Sequence, residues 1–268
     1  VRKIMQFPLV WMFTGVTLLG LSGFMTQKLF VDSQGILSIM LALAGGIVSI
    51  VVYWFVMKFM AGRKVQELQL RHAGIELILG SGVGLILIGV SVGIITLLGG
   101  YSFTWSATNA VGSIVALAIG AAIVEELIFR GLFLQAIEKR LGSWIALAIT
   151  SLFFGLAHLP NPGATLWSSV AIVIEAGILL GAGFLWRRNL WFVIGLHFAW
   201  NALEGMLGIP VSGIATQGFF DVQLSGAPWL TGGSFGLEAS IVPIIVSLLI
   251  AIPMLISAYH KGNMKFKR

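Results

Sequence analysis

The stretch VGSIVALAIGAAIVEELIFR, residues 111–130, decides how this chain is read. Fourteen residues of small and branched apolar side chains run into Glu125 and Glu126, and Arg130 follows within one helical turn. A run of this length and hydropathy suits a helix in hydrocarbon, where roughly 20 mostly apolar residues span the bilayer. Ionisable groups inside such a span cost several kcal/mol by insertion scales, so they are rare there and usually functional.

The rest of the chain has the same character. Of 268 residues, 58% are hydrophobic and only 10% charged. A soluble domain carries about 25% charged residues. The mean hydropathy of +1.00 agrees. The expectation is an all-α, polytopic transmembrane helix bundle, a single integral membrane domain over residues 1–268. About eight spans are predicted, at 7–27, 36–59, 75–99, 109–135, 144–160, 165–185, 190–208 and 238–259. The fifth is short and ends at the turn signal Pro160-Asn161-Pro162-Gly163. Val1-Arg2-Lys3 and the apolar run behind them resemble a signal-peptide start. The run lacks a clear small-residue cleavage site and reads as a retained first span. There is no cysteine, which excludes disulfides, thiolate metal ligands and a cysteine nucleophile.

Charge orders the connections. Fourteen of the sixteen Lys and Arg fall in alternate connections: Arg2 and Lys3; Lys58, Arg63, Lys64 and Arg71; Lys139 and Arg140; Arg187 and Arg188; Lys261, Lys265, Lys267 and Arg268. The opposite side holds only Lys28, and Arg130 lies inside the fourth span. The positive-inside rule then places both termini in the cytoplasm. Membrane topology explains the net charge of +6 better than nucleic acid does, and no nucleic-acid partner is expected. The outer connection 209–237 is rich in Gly, Ser and Thr, and a fold back onto the membrane is expected of it. Gly177 and Gly181 form a Gly-x-x-x-Gly pair, which lets helices approach closely in lipid.

Three groups of polar residues stand in apolar surroundings: Glu125, Glu126 and Arg130; His158; and His197 with Asn201. Adjacent residues on a helix point about 100° apart, so Glu125 and Glu126 have different tasks. Arg130 is four residues beyond Glu126, the spacing at which helical side chains meet, so those two are expected to pair. Glu125 is left without a local counter-ion, which suits a general base or acid. His197 and Asn201 share a helix face and could both donate to a developing oxyanion. A structural salt-bridge cluster and a polar interhelical contact are the plain alternatives for the first and last groups. By helical rise the site falls in the inner half of the membrane or near its centre, with His158 fitting that depth least well. Glu204 is a candidate neighbour of Asn201, and Glu175 could face the same cavity or pair with another group. His72 and His260 read as solvated, and Asp221 and Glu238 as loop and helix-start residues.

Glu125-Glu126-x-x-x-Arg130, Phe154-x-x-x-His158 and His197-x-x-x-Asn201, in this order on successive apolar segments, resemble the signature motifs of the CPBP family. These are the CAAX-protease and bacteriocin-processing intramembrane endopeptidases, also called the ABI family and related to type II CAAX prenyl endopeptidases. The resemblance covers about residues 109–205. It implies a peptidase in which Glu125 and His158 activate water, His197 and Asn201 stabilise the oxyanion, and Glu126 and Arg130 support the site. It also leaves open a zinc set of Glu125, His158 and His197 against a metal-free mechanism with Glu125 as base, toward which Asn201 leans as an oxyanion donor. The partners implied are membrane lipids and a membrane-associated or lipidated peptide, in a cell membrane of bacterial type. A transporter using the acids and histidines as a proton or ion relay is the competing class, and a non-catalytic immunity or scaffold member of the family is the third. Asp32 and Asp221 lie outside the spans, against an aspartyl dyad. Ser212 and Ser234 lie in the outer connection, against a serine–histidine dyad.

Overall fold

The computed structural model describes residues 2–266; Lys267 and Arg268 of the basic set lie outside the described residues. Each apolar segment is helical, because backbone polar groups in hydrocarbon must bond within their own segment. The helices are α1 (Pro8–Val31), α2 (Gly35–Met60), α3 (Gln66–Leu97, its start in two 3-10 turns), α4 (Val111–Leu141), α5 (Ser143–Ala157), α6 (Leu166–Arg187), α7 (Leu190–Leu207) and α8 (Ile241–His260). Among the described residues, all but α5 are long and apolar enough to cross a membrane. With 15 residues, α5 is about 22 Å long at 1.5 Å per residue. Gly142, at φ 84°, ends α4 and starts α5, and the Pro160–Gly163 turn follows its other end.

Local chemistry sets the other boundaries. Pro8 opens α1, where a missing N–H costs nothing. Thr165 and Ser168 form a capping box at α6, and the Asn189 and Ser240 side chains cap α7 and α8 by accepting from the N–H groups of Trp191 and Val242. Between α6 and α7, Arg188 takes a left-handed turn at φ 51°, a conformation costing roughly 1 kcal/mol or more for a residue with a Cβ. Its guanidinium is held by both oxygens of Glu138, at 2.8 and 2.6 Å.

That ion pair belongs to one end of the bundle. Glu138 also accepts from Lys265 at 2.8 Å and from the Ser143 hydroxyl at 2.5 Å, joining α4, α5 and the segment after α8. Arg187 binds Glu76 at the head of α3, its Nε to Oε2 at 3.0 Å. Arg63 binds Glu67 and Gln135, and Tyr53 donates to Glu67. The basic connections therefore converge on one end, and the chain ends it describes lie there too: Gly62 sits against Gln6, and Arg140 lies over Phe7. This is the sorting that the alternation of Lys and Arg predicts.

The opposite end contains a feature the hydropathy did not reveal. Tyr101–Trp105 (β1) pairs antiparallel with Phe220–Leu224 (β2), Tyr101 opposite Leu224. The Tyr101 hydroxyl donates to the carbonyl of Thr231, and burial holds its phenol above the ordinary range, with the Glu204 charge adding to the effect. The connection 209–237 packs onto this end of the bundle, where the Asn161 amide donates to the Ser212 carbonyl at 2.9 Å, and it bonds to itself from Gly213 N–H to the Phe235 carbonyl at 2.8 Å.

Between these ends, α6 and α7 are the most enclosed helices and α1 and α2 the least. The exposed side chains of the outer helices are apolar, among them Phe13, Leu29, Ile36 and Ile86, as a lipid-facing surface requires. Glycine allows the closest approaches. A Cβ on Gly80 would lie 1.9 Å from the Phe192 carbonyl, and one on Gly195 would lie 2.3 Å from that of Leu77. Backbone thus meets backbone between α3 and α7. Gly177 and Gly181 admit Ser151 and Leu147 of α5 to α6 in the same way, as their spacing predicts.

Gly195→Val forces α3 and α7 apart, two residues from His197. It should destabilise the protein by about 1–3 kcal/mol, as overpacking does, and lower the thermal midpoint of detergent-purified protein. Gly89→Ala meets no neighbour within 4 Å, so its midpoint should hold or rise, since alanine is the better helix former.

Candidate active site

Glu126 is the centre of the site. Its side chain is fully buried, and its Oε1 accepts both from Arg130 Nη1 at 2.9 Å and from His197 Nδ1 at 2.8 Å. The pairing with Arg130 is the one the spacing predicts. The link to His197, 71 residues away in sequence, is what joins α4 to α7. Glu125 points away, its side chain 30% exposed, with Oε2 4.0 Å from His197 Nε2. The two neighbouring acids are thus divided as helical geometry requires, one buried and paired, the other facing open space.

The helix changes form at this point. Leu127–Leu134 is π-helical, and so is Val173–Ile178 of α6. π-Helical turns are uncommon and collect at functional sites. Arg130 lies in the first, and its Nη2 donates to the carbonyls of Ala176 and Gly177 in the second, at 3.1 and 3.2 Å. The guanidinium also lies over the Phe154 ring, 4.6 Å from its centre. Arg130 therefore binds a carboxylate, two carbonyls and an aromatic face, and ties α4 to α5 and α6.

His158 occupies the C-terminal cap of α5. Its Nδ1 lies 2.7 Å from the Phe154 carbonyl. A carbonyl only accepts, so Nδ1 carries the hydrogen and Nε2 is free. Phe154, the first residue of the Phe-x-x-x-His pattern, packs against His158 and His197, with ring centres 4.9 and 6.2 Å away. It orients one histidine through its backbone and shields both through its ring. Asn201 lies on α7, a turn beyond His197.

Glu125, His158, His197 and Asn201 line one cavity of about 490 Å³. The same two histidines and Asn201 also border a nook of about 10 Å³ together with Ser212 and Glu238, room for about one water. Sequence reasoning missed these last two. Glu238 lies in the 3-10 turn Leu237–Ala239 just ahead of the Ser240 cap of α8, as expected of a residue near a helix start, and it is buried, 5% exposed. Burial pushes its carboxyl above the ordinary carboxylate range, a rise opposed by hydrogen bonding from Ser212 and by the charges of His158 and His197. Only its place in an apolar flank hinted at this, since its neighbours come from α5, α7 and the outer connection. Glu175 and Glu204 are fully buried with both carboxyl oxygens unpartnered. Neither lines the cavity, which corrects the expectation for Glu175. His72 and His260 are exposed, as expected.

Of the two readings left open for a metal, neither is decided: among the described residues Glu125, His158 and His197 are not grouped as a three-donor site, yet both histidines keep Nε2 free, with Nδ1 facing the Glu126 carboxylate and the Phe154 carbonyl. One further expectation needs correction: the cavity lies on the other side of the bundle centre from the one expected. It is bordered by Asn161, Ser212 and Thr216, in the connections remote from the basic end. Helical rise placed the side chains near mid-bundle, but it could not show which way the open space runs.

An acid, two imidazoles and an amide thus border one largely apolar cavity, backed by a buried acid–base pair. Residues 107–203 match the family model described as Type II CAAX prenyl endopeptidase Rce1-like. The chain is a multi-pass membrane protein whose residues 107–203 are similar to that protease family, and the matched stretch contains all seven motif residues. No curated protein and no solved structure gives a significant match.

Arg130→Met should destabilise the protein by about 3–5 kcal/mol, the usual cost of leaving one partner of a buried pair alone. Arg130→Lys should not restore it, because one ammonium cannot replace a planar fork shared among three acceptors. The double variant Glu126→Leu/Arg130→Met should recover part of the stability, as apolar replacements of buried pairs often do, and fall short of wild type because the buried His197 Nδ1 then lacks its acceptor. Denaturation midpoints in detergent check all three.

Proposed function

We propose that this chain is an intramembrane endopeptidase of a bacterial-type cell membrane, hydrolysing a peptide bond in a membrane-associated or lipid-anchored peptide. The observation that carries the reading is that Glu125, His158, His197 and Asn201, from three helices, line one otherwise largely apolar cavity. Glu126 and Arg130 stand behind them as a buried pair.

The chemistry follows from which atoms are free. Glu125 has no ion-pair partner closer than the 4.0 Å contact with His197, so its carboxylate can take a proton from water. His158, with Nδ1 committed to the Phe154 carbonyl, presents Nε2 as an acceptor that orients the same water. The resulting hydroxide attacks the peptide carbonyl carbon. The oxyanion receives the Asn201 amide and His197 Nε2–H. Because His197 Nδ1 already faces Glu126, donation at both nitrogens requires the imidazolium form, and the Glu126 carboxylate stabilises that cation. Collapse of the tetrahedral intermediate breaks the C–N bond, and Glu125 returns its proton to the leaving amine. Arg130 fixes Glu126 and so fixes His197; it touches no reacting atom. These steps are the metal-free form of the reaction.

Purified protein in proteoliposomes, given quenched fluorescent peptides with apolar cores, tests this. Glu125→Gln should lower kcat by roughly 10²–10⁴-fold, the range for losing a general base. Asn201→Ala should lower kcat by about 10²–10³-fold with KM nearly unchanged, as for an oxyanion donor. Wild-type rate after treatment with a strong chelator should stay the same. Cleavage that survives Glu125→Gln undiminished would refute the mechanism; cleavage abolished by chelation and restored by zinc would refute its metal-free form.

A further inference from the structure

The catalytic side chains lie near mid-bundle, but the cavity extends to one side only. Chain direction gives the height of each wall. α1 leaves the basic end at Pro8 and lines the cavity only with its second half, from Gly20 to Phe30. α4 runs the other way and contributes Ile114 to Phe129, stopping where Arg130 begins. α7 leaves the basic end at Leu190 and contributes His197, Asn201 and Gly205. Among the described residues, none from the basic connections borders the space.

Toward the basic end the path is filled in layers. Glu126, Arg130 and Phe154, each no more than 2% exposed, form the first. The Tyr53–Glu67–Arg63–Gln135 cluster forms the second, and Glu138 with Arg188 and Lys265 the third. Every layer is hydrogen-bonded, so opening it strips charges of their partners in a low-dielectric interior. The other end has no such barrier: Ala157 and Ile214 are exposed at the cavity's edge.

The basic end is the cytoplasmic one by the distribution of Lys and Arg. We propose that the cavity takes its substrate from the extracytoplasmic half of the membrane, and that this substrate is an extended, uncharged, largely apolar segment within a membrane-anchored or exported peptide. The walls hold no Lys or Arg and one acid, Glu125. A terminal carboxylate would find no fixed cation there, and an acidic side chain would meet Glu125. An internal bond flanked by apolar residues suits the largely apolar wall that Phe24, Phe30, Leu117, Val124 and Phe129 form. The identity of the substrate rests on the peptidase reading; the direction of access does not.

The absence of cysteine makes the test direct. Single variants Ala121→Cys on the cavity wall, Thr216→Cys at its outer rim and Lys64→Cys at the basic end are exposed to a charged, membrane-impermeant methanethiosulfonate reagent. Right-side-out and inverted vesicles are compared. Ala121→Cys and Thr216→Cys should react faster from the outside by roughly tenfold or more, since charge is excluded from hydrocarbon, and Lys64→Cys should show the reverse. Faster reaction of either cavity variant in inverted vesicles would overturn the proposal, as would equal rates from both sides or no reaction at both positions. A parallel arm supplies the impermeant quenched peptide to each vesicle type carrying wild-type protein. Cleavage only in right-side-out vesicles supports the proposal, and cleavage only in inverted vesicles overturns it. Absence of cleavage in both, with the labelling as expected, counts against the peptidase reading and leaves access from outside supported.

Discussion

The centre of this protein depends on a single oxygen atom, Oε1 of Glu126, which accepts from Arg130 and His197 at once. In hydrocarbon an unmatched carboxylate is prohibitively costly, so the atom dictates the positions of both partners. Arg130 then reaches α6 through two carbonyls and α5 through the Phe154 ring. Four helices are thereby fixed relative to one another by one charge pair. The imidazole is presented to the cavity in a fixed orientation before any ligand arrives, which is what stabilisation by preorganised groups requires.

Close backbone packing makes that geometry rigid. The contact of Gly80 and Gly195 with opposing carbonyls brings α7 against α3 without intervening side chains, so His197 cannot shift by repacking. The π-helical stretch Leu127–Leu134 has a related role. It sets the rotation between the half of α4 that carries Glu125 and the half that Glu138 anchors at the basic end. Removing one residue from this stretch would turn the two acids by about 100° relative to that anchor. Length as well as residue identity is therefore constrained there.

Much of this was legible in the sequence because membrane constraints are severe. Eight apolar segments, the sidedness of Lys and Arg, and the Glu126–Arg130 pair each follow from a cost that admits few alternatives. The three motifs placed Glu125, His158, His197 and Asn201 together because chemistry-bearing residues are so few in these helices. What was hidden depended on long-range contacts. Glu238 reads as a helix-start residue, and its place beside the two histidines depends on contacts with the outer connection; the pairing of Tyr101–Trp105 with Phe220–Leu224 joins segments far apart in the sequence. The side on which the cavity lies was hidden for the same reason. It is set by which halves of the helices leave space between them, and by the polar layers that close the other half.

The shortness of α5 bears on how far the cavity lies from the membrane surface. At about 22 Å it falls short of a hydrocarbon core of about 30 Å, and it begins at the basic end, where Ser143 is bonded to Glu138 and Lys265. Its other end, carrying His158, and the polar turn through Asn161 are therefore submerged below the level reached by neighbouring helices. A short span in a thicker bilayer is accommodated by local thinning of the lipid. The polar end of α5, with His158 and Asn161 at the border of the cavity, therefore shortens the apolar distance between the cavity and that surface.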